Sequence, residues 1–113
     1  MIPSQMLKGT LSGCILAIIS RRETYGYGIA EALSRYGFGK VAEGTIYPLL
    51  LRLEKNGLVD TEYRASELGP KRKYYRLTPK GAQELESFIE SYNELRIAVD
   101  STLKGGEENE QGS

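Results

Sequence analysis

Apolar residues recur at steps of three and four near the start of the chain, which predicts an amphipathic helix from Met6 to Ser20. A polar stretch follows it, and Thr24 is the expected N-cap of a second helix. That helix should end at Gly37 and Gly39, since glycine readily adopts the positive φ of a helix C-terminus. The side chains expected to face a core from these two helices are Leu7, Leu11, Cys14, Ile15, Ile18, Ile19, Ile29, Ala32, Leu33 and Tyr36.

A third helix is predicted around Pro48, because proline is tolerated in the first turn of a helix, and Thr45 is its natural N-cap. The pair Asn56-Gly57 should end it. The apolar residues of this helix follow one stripe, Ile46, Leu49, Leu50 and Leu53. The opposite face then carries Thr45, Pro48, Leu51, Arg52 and Lys55.

Two stretches rich in β-favouring residues, Leu58 to Arg64 and Tyr74 to Leu77, predict a β-hairpin. The expected loop is Ala65 to Lys73, with a turn at Gly69-Pro70. This loop contains three consecutive basic residues, Lys71, Arg72 and Lys73. The hairpin should therefore project an exposed positive charge.

A long last helix is predicted from Thr78-Pro79, an N-cap followed by a first-turn proline, to about Lys104. Its apolar residues are spaced at alternating steps of three and four, as in a heptad seam: Leu85, Phe88, Tyr92, Leu95 and Val99. Either this face covers the helix's own domain or it packs against a second copy. The length of the helix favours a homodimer.

The formal net charge is zero, yet the two parts of the chain differ strongly. Residues 1–81 hold thirteen Lys and Arg against seven Asp and Glu, a net +6. Residues 82–113 hold two against eight, a net −6. The first part therefore suits an anionic partner, whereas the second suits self-association or solvent.

Composition argues against most catalytic chemistry. The chain has no His, so the commonest general base and the commonest transition-metal ligand are missing, and no metal or cofactor is expected. It also has no Gly-x-x-x-x-Gly-Lys-Ser/Thr phosphate loop. The single cysteine, Cys14, lies in the apolar stripe of the first helix, where a buried structural thiol is favoured over a redox role. With no membrane-spanning apolar run, a cytoplasmic protein is expected.

The predicted order of elements is that of a winged helix-turn-helix: a mainly α fold with a small β-hairpin, followed by a long C-terminal dimerisation helix. Residues 1–77 would form the DNA-binding domain, 78–104 the dimerisation helix and 105–113 a disordered acidic tail. The third helix would be the recognition helix and the hairpin the wing.

Several motifs together resemble the PadR family of bacterial transcriptional regulators, and in length the chain resembles its small subfamily. The segments that carry the resemblance, within roughly Leu7 to Leu95, are Tyr25-Gly26-Tyr27-Gly28-Ile29, Gly44-Thr45-Ile46-Tyr47-Pro48-Leu49-Leu50, Arg52-Leu53-Glu54 with Gly57-Leu58, and Gly69-Pro70 with Arg72-Lys73-Tyr74-Tyr75-Arg76-Leu77-Thr78. The chain departs from the family at Gly28, where members usually carry a charged or polar residue, and at Leu51, where they often carry a His or a basic residue.

The resemblance implies a repressor that dimerises through its C-terminal helix, aided by the first helix, binds a palindromic operator in double-stranded DNA, and is released by an effector. Some small members bind flat aromatic molecules through a tryptophan in the dimer pore, and this chain has no Trp. Phe88 and Tyr92 either pack in the seam or contact a ligand there.

The residues expected to contact DNA lie on three elements. From the recognition helix, Thr45, Tyr47, Pro48 and Leu51 are nearest the base edges, Arg52 reaches a base or a phosphate, and Lys55 shares their face. Tyr25 and Tyr27, at the start of the second helix, either contact a phosphate or are half-buried core residues, and Tyr47 either contacts DNA or packs against that helix. In the wing, Lys71 and Lys73 are favoured over Arg72 as phosphate contacts. Two other classes remain as alternatives: an enzyme, or a winged helix that binds protein.

Overall fold

Apolar stripes and turn-forming glycines divide the computed structural model, which describes residues 1–105, into five helices and three strands. The helices are α1 (Ser4–Leu7), α2 (Leu11–Arg21), α3 (Gly26–Leu33), α4 (Glu43–Lys55) and α5 (Pro79–Lys104), and the strands are β1 (Thr24–Tyr25), β2 (Val59–Ser66) and β3 (Gly69–Leu77). The fold is mainly α with one small antiparallel sheet, as the sequence predicts.

The core lies where α2, α3 and α4 meet the sheet, and the predicted stripes supply it. The α2 stripe is buried at Leu11, Ile15, Ile18 and Ile19, and the α4 stripe at Ile46, Leu50 and Leu53. Leu49 is half-buried beside them. The helical periodicity of both stripes therefore predicted correctly which faces are buried.

The first predicted helix is two helices. Gly9 has φ +86° and breaks the chain between α1 and α2, because this left-handed conformation cannot continue an α-helix. The prediction that Thr24 is an N-cap is wrong. Thr24 pairs with Tyr75 in a short edge strand, and Tyr25 is the residue that precedes α3. The sheet consequently has a third strand, in the order β1-β3-β2.

The second helix does end at the two predicted glycines. Gly37 and Gly39 have φ +107° and +73°. The helix widens at its end into a π-helical turn, Ser34–Phe38, which contains Gly37 and is followed by Gly39. This turn rotates Tyr36 off the apolar stripe, so the expectation that Tyr36 faces the core is wrong: its side chain is 62% exposed and its hydroxyl accepts a hydrogen bond from Arg21.

Helix α4 begins two residues before its predicted N-cap, Thr45. The backbone N–H groups of Thr45 and Ile46 donate to the carbonyl of Ala42, so the first turn is already formed there and Thr45 lies inside α4. Pro48 is the sixth residue of the helix. Because proline has no backbone N–H, the Gly44 carbonyl has no hydrogen-bond donor four residues later in the helix. This loss is tolerated because Gly44 is exposed to solvent. Gly57, at φ +76°, follows the end of the helix as predicted.

The wing is longer than the sequence predicts. Strands β2 and β3 pair antiparallel from Val59 opposite Leu77 to Ser66 opposite Gly69, leaving only residues 67–68 as the loop. The Lys71–Lys73 cluster is therefore part of β3, and its placement in a nine-residue loop is wrong. Cross-strand hydrogen bonding, with alternate residues on opposite faces, fixes the direction of each basic side chain.

The last helix begins and ends as predicted. The Thr78 hydroxyl accepts a hydrogen bond from the Gly81 backbone N–H at 3.0 Å, as an N-cap does, and itself donates to the carbonyl of Gly57 at 2.7 Å. Its 26 residues extend well beyond the core, which gives the described molecule extents of 65 × 30 × 20 Å. The predicted acidic tail lies almost wholly outside the described residues.

Candidate nucleic-acid interface

One face of α4 is open to solvent, opposite its buried stripe. Six residues that the sequence assigns to DNA contact are exposed on it: Thr45, Tyr47, Pro48, Leu51, Arg52 and Lys55. Leu51 is 60% exposed, although it is apolar. Within residues 1–105, neither Arg52 nor Lys55 forms an ion pair. The face therefore presents two available cations to a partner.

A cleft of about 470 Å³ lies between this face, the start of α3 and the wing. Gly26 and Tyr75 form part of its lining. The rest of the lining consists of seven of the eleven predicted DNA-contact residues: Tyr25, Tyr27, Tyr47, Leu51, Lys71, Arg72 and Lys73. We call it the Tyr–Lys cleft. Phenolic hydroxyls and cationic side chains that converge on one concavity suit a phosphate backbone.

The other flank of α4 faces a second depression. Thr45, Pro48 and Arg52 line a mostly apolar groove of about 1160 Å³ between α1, the segment 37–42 and α4. The predicted α4 residues are thus divided between two concavities, and Lys55 lines neither.

Tyr47 packs against the start of α3 and remains 44% exposed. A Cβ atom added at Gly26 would lie 2.8 Å from the Tyr47 hydroxyl oxygen and 2.9 Å from Cε1, so any larger residue at position 26 would displace the ring. The first glycine of the Tyr-Gly-Tyr-Gly segment therefore allows the Tyr47 hydroxyl to lie beside the first turn of α3.

Tyr25 belongs to a stack of rings and guanidinium groups that crosses β3. The Arg72 guanidinium lies 4.6 Å from the centre of the Tyr25 ring, and the centre of the tilted Tyr74 ring lies 5.3 Å from the same point. Arg64 lies over Tyr74 at 4.5 Å. Tyr25 is half-buried, whereas Tyr27 is 63% exposed. The stack holds Arg72 at the edge of the cleft in a fixed direction.

The wing cations differ in their surroundings. Lys71 is exposed and forms no ion pair in the described part of the chain. Lys73 is less exposed, and its ammonium nitrogen lies 2.8 Å from a carboxylate oxygen of Glu54 on α4. The hydrogen bond from Lys73 lowers the pKa of Glu54, and the same hydrogen bond raises the pKa of Lys73. Glu54 was not among the residues singled out from the sequence.

A second ion-pair network joins the outer faces of β2 and β3 to the segment before β1. Glu23 accepts hydrogen bonds from Arg64 and Arg76, and Glu62 lies close to both arginines. These bonds, first that from Arg64, lower the pKa of Glu23. Arg64 and Arg76 are therefore paired, whereas Lys71 and Arg72, which line the Tyr–Lys cleft, form no ion pair among the described residues. The side of the wing that lines the cleft is consequently its positive side.

The predicted dimerisation seam on α5 divides into two parts. Leu85 and Phe88 are half-buried against the helix's own domain. Tyr92, Leu95 and Val99 are 44%, 54% and 45% exposed. The two aromatic rings stack with centres 6.2 Å apart. The first part of the seam thus covers the winged domain, and the second part is an apolar row without a cover in the described chain.

Other sites are poorly supported. Across residues 1–105, no group of Cys, Asp and Glu side chains is arranged to hold a metal ion, and no helix is both long and apolar enough to cross a membrane. Burial raises the pKa of the Cys14 thiol, which disfavours the reactive thiolate.

Known proteins resemble this chain over most of its length. Residues 15–87 match the model of the "Transcriptional regulator PadR-like family". A transcriptional regulator of Mycobacterium tuberculosis is 38% identical over 85 residues, 75% of this chain and 78% of that protein. The crystal structure of a PadR-like transcriptional regulator from Bacillus cereus shares 52% identity with a TM-score of 0.78, covering 88% of this chain and 96% of that one. A PadR family regulator from Eggerthella lenta shares 31% identity with a TM-score of 0.79, covering 88% and 87%.

The family match and the winged-helix architecture agree with each other. PadR family members are DNA-binding transcriptional regulators, typically dimeric, and not enzymes. This chain belongs to the PadR-like family of transcriptional regulators.

Proposed function

We propose that the protein is a repressor that binds a palindromic DNA operator as a homodimer and is released by an effector. The observation that carries the DNA-binding part is the Tyr–Lys cleft, in which the exposed face of α4 is continuous with the positive side of the wing. Helix α4 would enter the major groove, and the wing would contact the adjacent phosphates.

The homodimer is supported by the outer part of the α5 seam. Three apolar side chains, Tyr92, Leu95 and Val99, stay about half exposed, which favours burial against another chain. A second copy related by a two-fold axis would repeat α4 at a fixed spacing, and a two-fold protein reads a palindrome. The stacked Phe88 and Tyr92 rings are the candidate contacts for an effector at the same interface.

The assignment of base reading to α4 and phosphate binding to the wing is tested with Arg52→Ala and Lys71→Ala. Each variant is titrated at several salt concentrations with a duplex selected by the wild type from a random library, and with an unselected duplex. Lys71→Ala should weaken both duplexes by similar factors and lower the slope of log affinity against log salt by about one unit. Arg52→Ala should cost about 1–3 kcal/mol on the selected duplex and much less on the other, if it reads a base.

Both variants must first be shown to be folded and to have the wild-type mass. The assignment is wrong if Lys71→Ala abolishes the preference for the selected duplex while Arg52→Ala weakens both duplexes equally. A wild-type protein that binds neither duplex would contradict the proposal as a whole.

A further inference from the structure

One carboxylate joins the recognition helix to both strands of the wing. Glu54, in the last turn of α4, accepts a hydrogen bond from the Thr61 hydroxyl on β2 at 3.0 Å through one oxygen. Its other oxygen accepts one from the Lys73 ammonium on β3 at 2.8 Å. We call these three side chains the Glu54 bridge.

The surroundings of Lys73 favour this position over one on a DNA phosphate. Its ammonium nitrogen lies 6.0 Å and 5.7 Å from the ring centres of Tyr63 and Tyr75, on the same face of the wing. Its side chain is 25% exposed and that of Glu54 34%. Lys73 is therefore already provided with an anion and two aromatic faces before any ligand binds.

Movement of Lys73 to a phosphate would also be unfavourable for Glu54. The carboxylate would lose its only cationic partner among the described residues and remain beside the DNA backbone as an unpaired negative charge. Lys71 carries no such cost, because it is exposed and has no ion-pair partner in residues 1–105. The two lysines, two residues apart on one strand face, thus have different roles.

We infer that Glu54 is a positioning residue for DNA binding: the Glu54 bridge holds the wing at a fixed angle to the recognition helix, and the Lys73 charge serves this bridge and not a phosphate contact. The inference rests on the proposed DNA-binding function. A positioning role predicts that removal of the Glu54 carboxylate weakens DNA binding. A purely electrostatic role predicts the opposite, because removal of a negative charge near DNA should strengthen binding.

The test compares Glu54→Gln and Lys73→Met with two matched controls. Glu62→Gln removes one negative charge from the outer face of the same wing, and Lys71→Met removes one positive charge from the same strand. Affinities for the selected and unselected duplexes are measured at several salt concentrations. Glu54→Gln should weaken binding, by about ten-fold if the bridge is worth a charged hydrogen bond at the lower end of the usual range, although the net charge of the protein becomes more positive.

The salt dependence separates the two lysines. Lys73→Met should weaken binding with an unchanged salt slope, whereas Lys71→Met should lower the slope by about one unit. The double variant Glu54→Gln/Lys73→Met should have the same DNA affinity as whichever single variant binds DNA less tightly, because both changes break the same bridge. The inference is overturned if Lys73→Met lowers the slope by about one unit, or if Glu54→Gln strengthens binding as Glu62→Gln does.

Amide hydrogen exchange in the free protein tests the bridge without DNA. Glu54→Gln and Lys73→Met should both accelerate exchange in β2 and β3 near Thr61 and Lys73, and Lys71→Met should not. Unchanged exchange in both bridge variants would show that the bridge does not hold the wing. If the wild type bound no duplex, the proposed function would fail while this measurement still decided whether the bridge exists.

Discussion

Gly13 is the third residue of α2, a position where alanine or another good helix former would be expected. Its reason lies in another helix. A Cβ atom built at this position would overlap the ring of Phe88 on α5, so the absence of a side chain lets the two helices approach closely. The Phe88 ring therefore restricts position 13 to glycine, although the two residues are 75 positions apart in the sequence. A local sequence pattern cannot show such a restriction.

Gly13→Ala should accordingly destabilise the protein by about 1–3 kcal/mol, since the added methyl overpacks the α2–α5 contact. Urea unfolding followed by circular dichroism measures it. Gly44→Ala is the control, because nothing lies within 4 Å of a Cβ atom there. It should be neutral or slightly stabilising, through the higher helix propensity of alanine. Equal urea midpoints for the two variants would show that Phe88 does not restrict position 13.

At the scale of elements, sequence periodicity correctly predicted the buried faces of the core helices but not the full length of the strands in the wing. The stripe of α4 repeats because Ile46, Leu50 and Leu53 must all be buried. Strand β3 continues past the core, so Lys71, Arg72 and Lys73 show no apolar alternation and are indistinguishable from a loop. The start of α4 was also predicted incorrectly, because it depends on backbone hydrogen bonds to the Ala42 carbonyl. The residue types at these positions do not indicate such bonds.

Most candidate interface residues could be named from the sequence, but not their partners. Tyr47 was correctly placed on its helix, whereas Tyr25, expected at the start of the second helix, lies in strand β1 just before α3. The alternative of packing was left open for both. The ion pairs of Glu54 and Glu23 join residues from 19 to 53 positions apart. Pairing at such distances depends on the register of the sheet and on helix packing, which a single sequence does not contain.

The Glu54 bridge should also make stability depend on acidity. The hydrogen bond from Lys73 lowers the pKa of Glu54 below the ordinary 4.5, so its contribution is complete above that value and is lost as the pH falls through the lowered pKa. From about pH 6 to about pH 3, the urea midpoint of the wild type should fall more than that of Glu54→Gln. The Glu23 network contributes equally to both proteins. Identical losses would show that the bridge adds no pH-dependent stability.

At the scale of the whole molecule, the described part of the acidic segment lies on α5, where residues 82–104 hold five Asp and Glu against two Lys and Arg. Residues 82–113 have a net charge of −6 and residues 1–81 of +6. The neutral total therefore conceals a strongly polarised molecule. Repulsion between the acidic helix and a phosphate backbone should orient the protein with α4 and the wing towards DNA.

Light scattering tests whether α5 joins two copies. The wild type should have the mass of a dimer, and Leu95→Lys should shift it towards the monomer, because a charge would be buried without a partner in the seam. Ser101→Lys adds the same charge to an exposed position on the side of α5 away from the seam, and it should leave the mass unchanged. An unaltered mass for Leu95→Lys would contradict the seam.

Between the Phe88–Gly13 contact and Lys104, α5 continues for sixteen residues without glycine or proline, about 24 Å of rigid rod. Rotation by roughly ten degrees at that contact would displace the end of the rod by about 4 Å, close to the rise of one base-pair step. In a dimer built on such rods, a tilt too small to disturb either winged domain would put the two recognition helices out of phase with their half-sites. If the proposed effector binds beside Phe88, a tilt of this size would be enough to release the proposed operator.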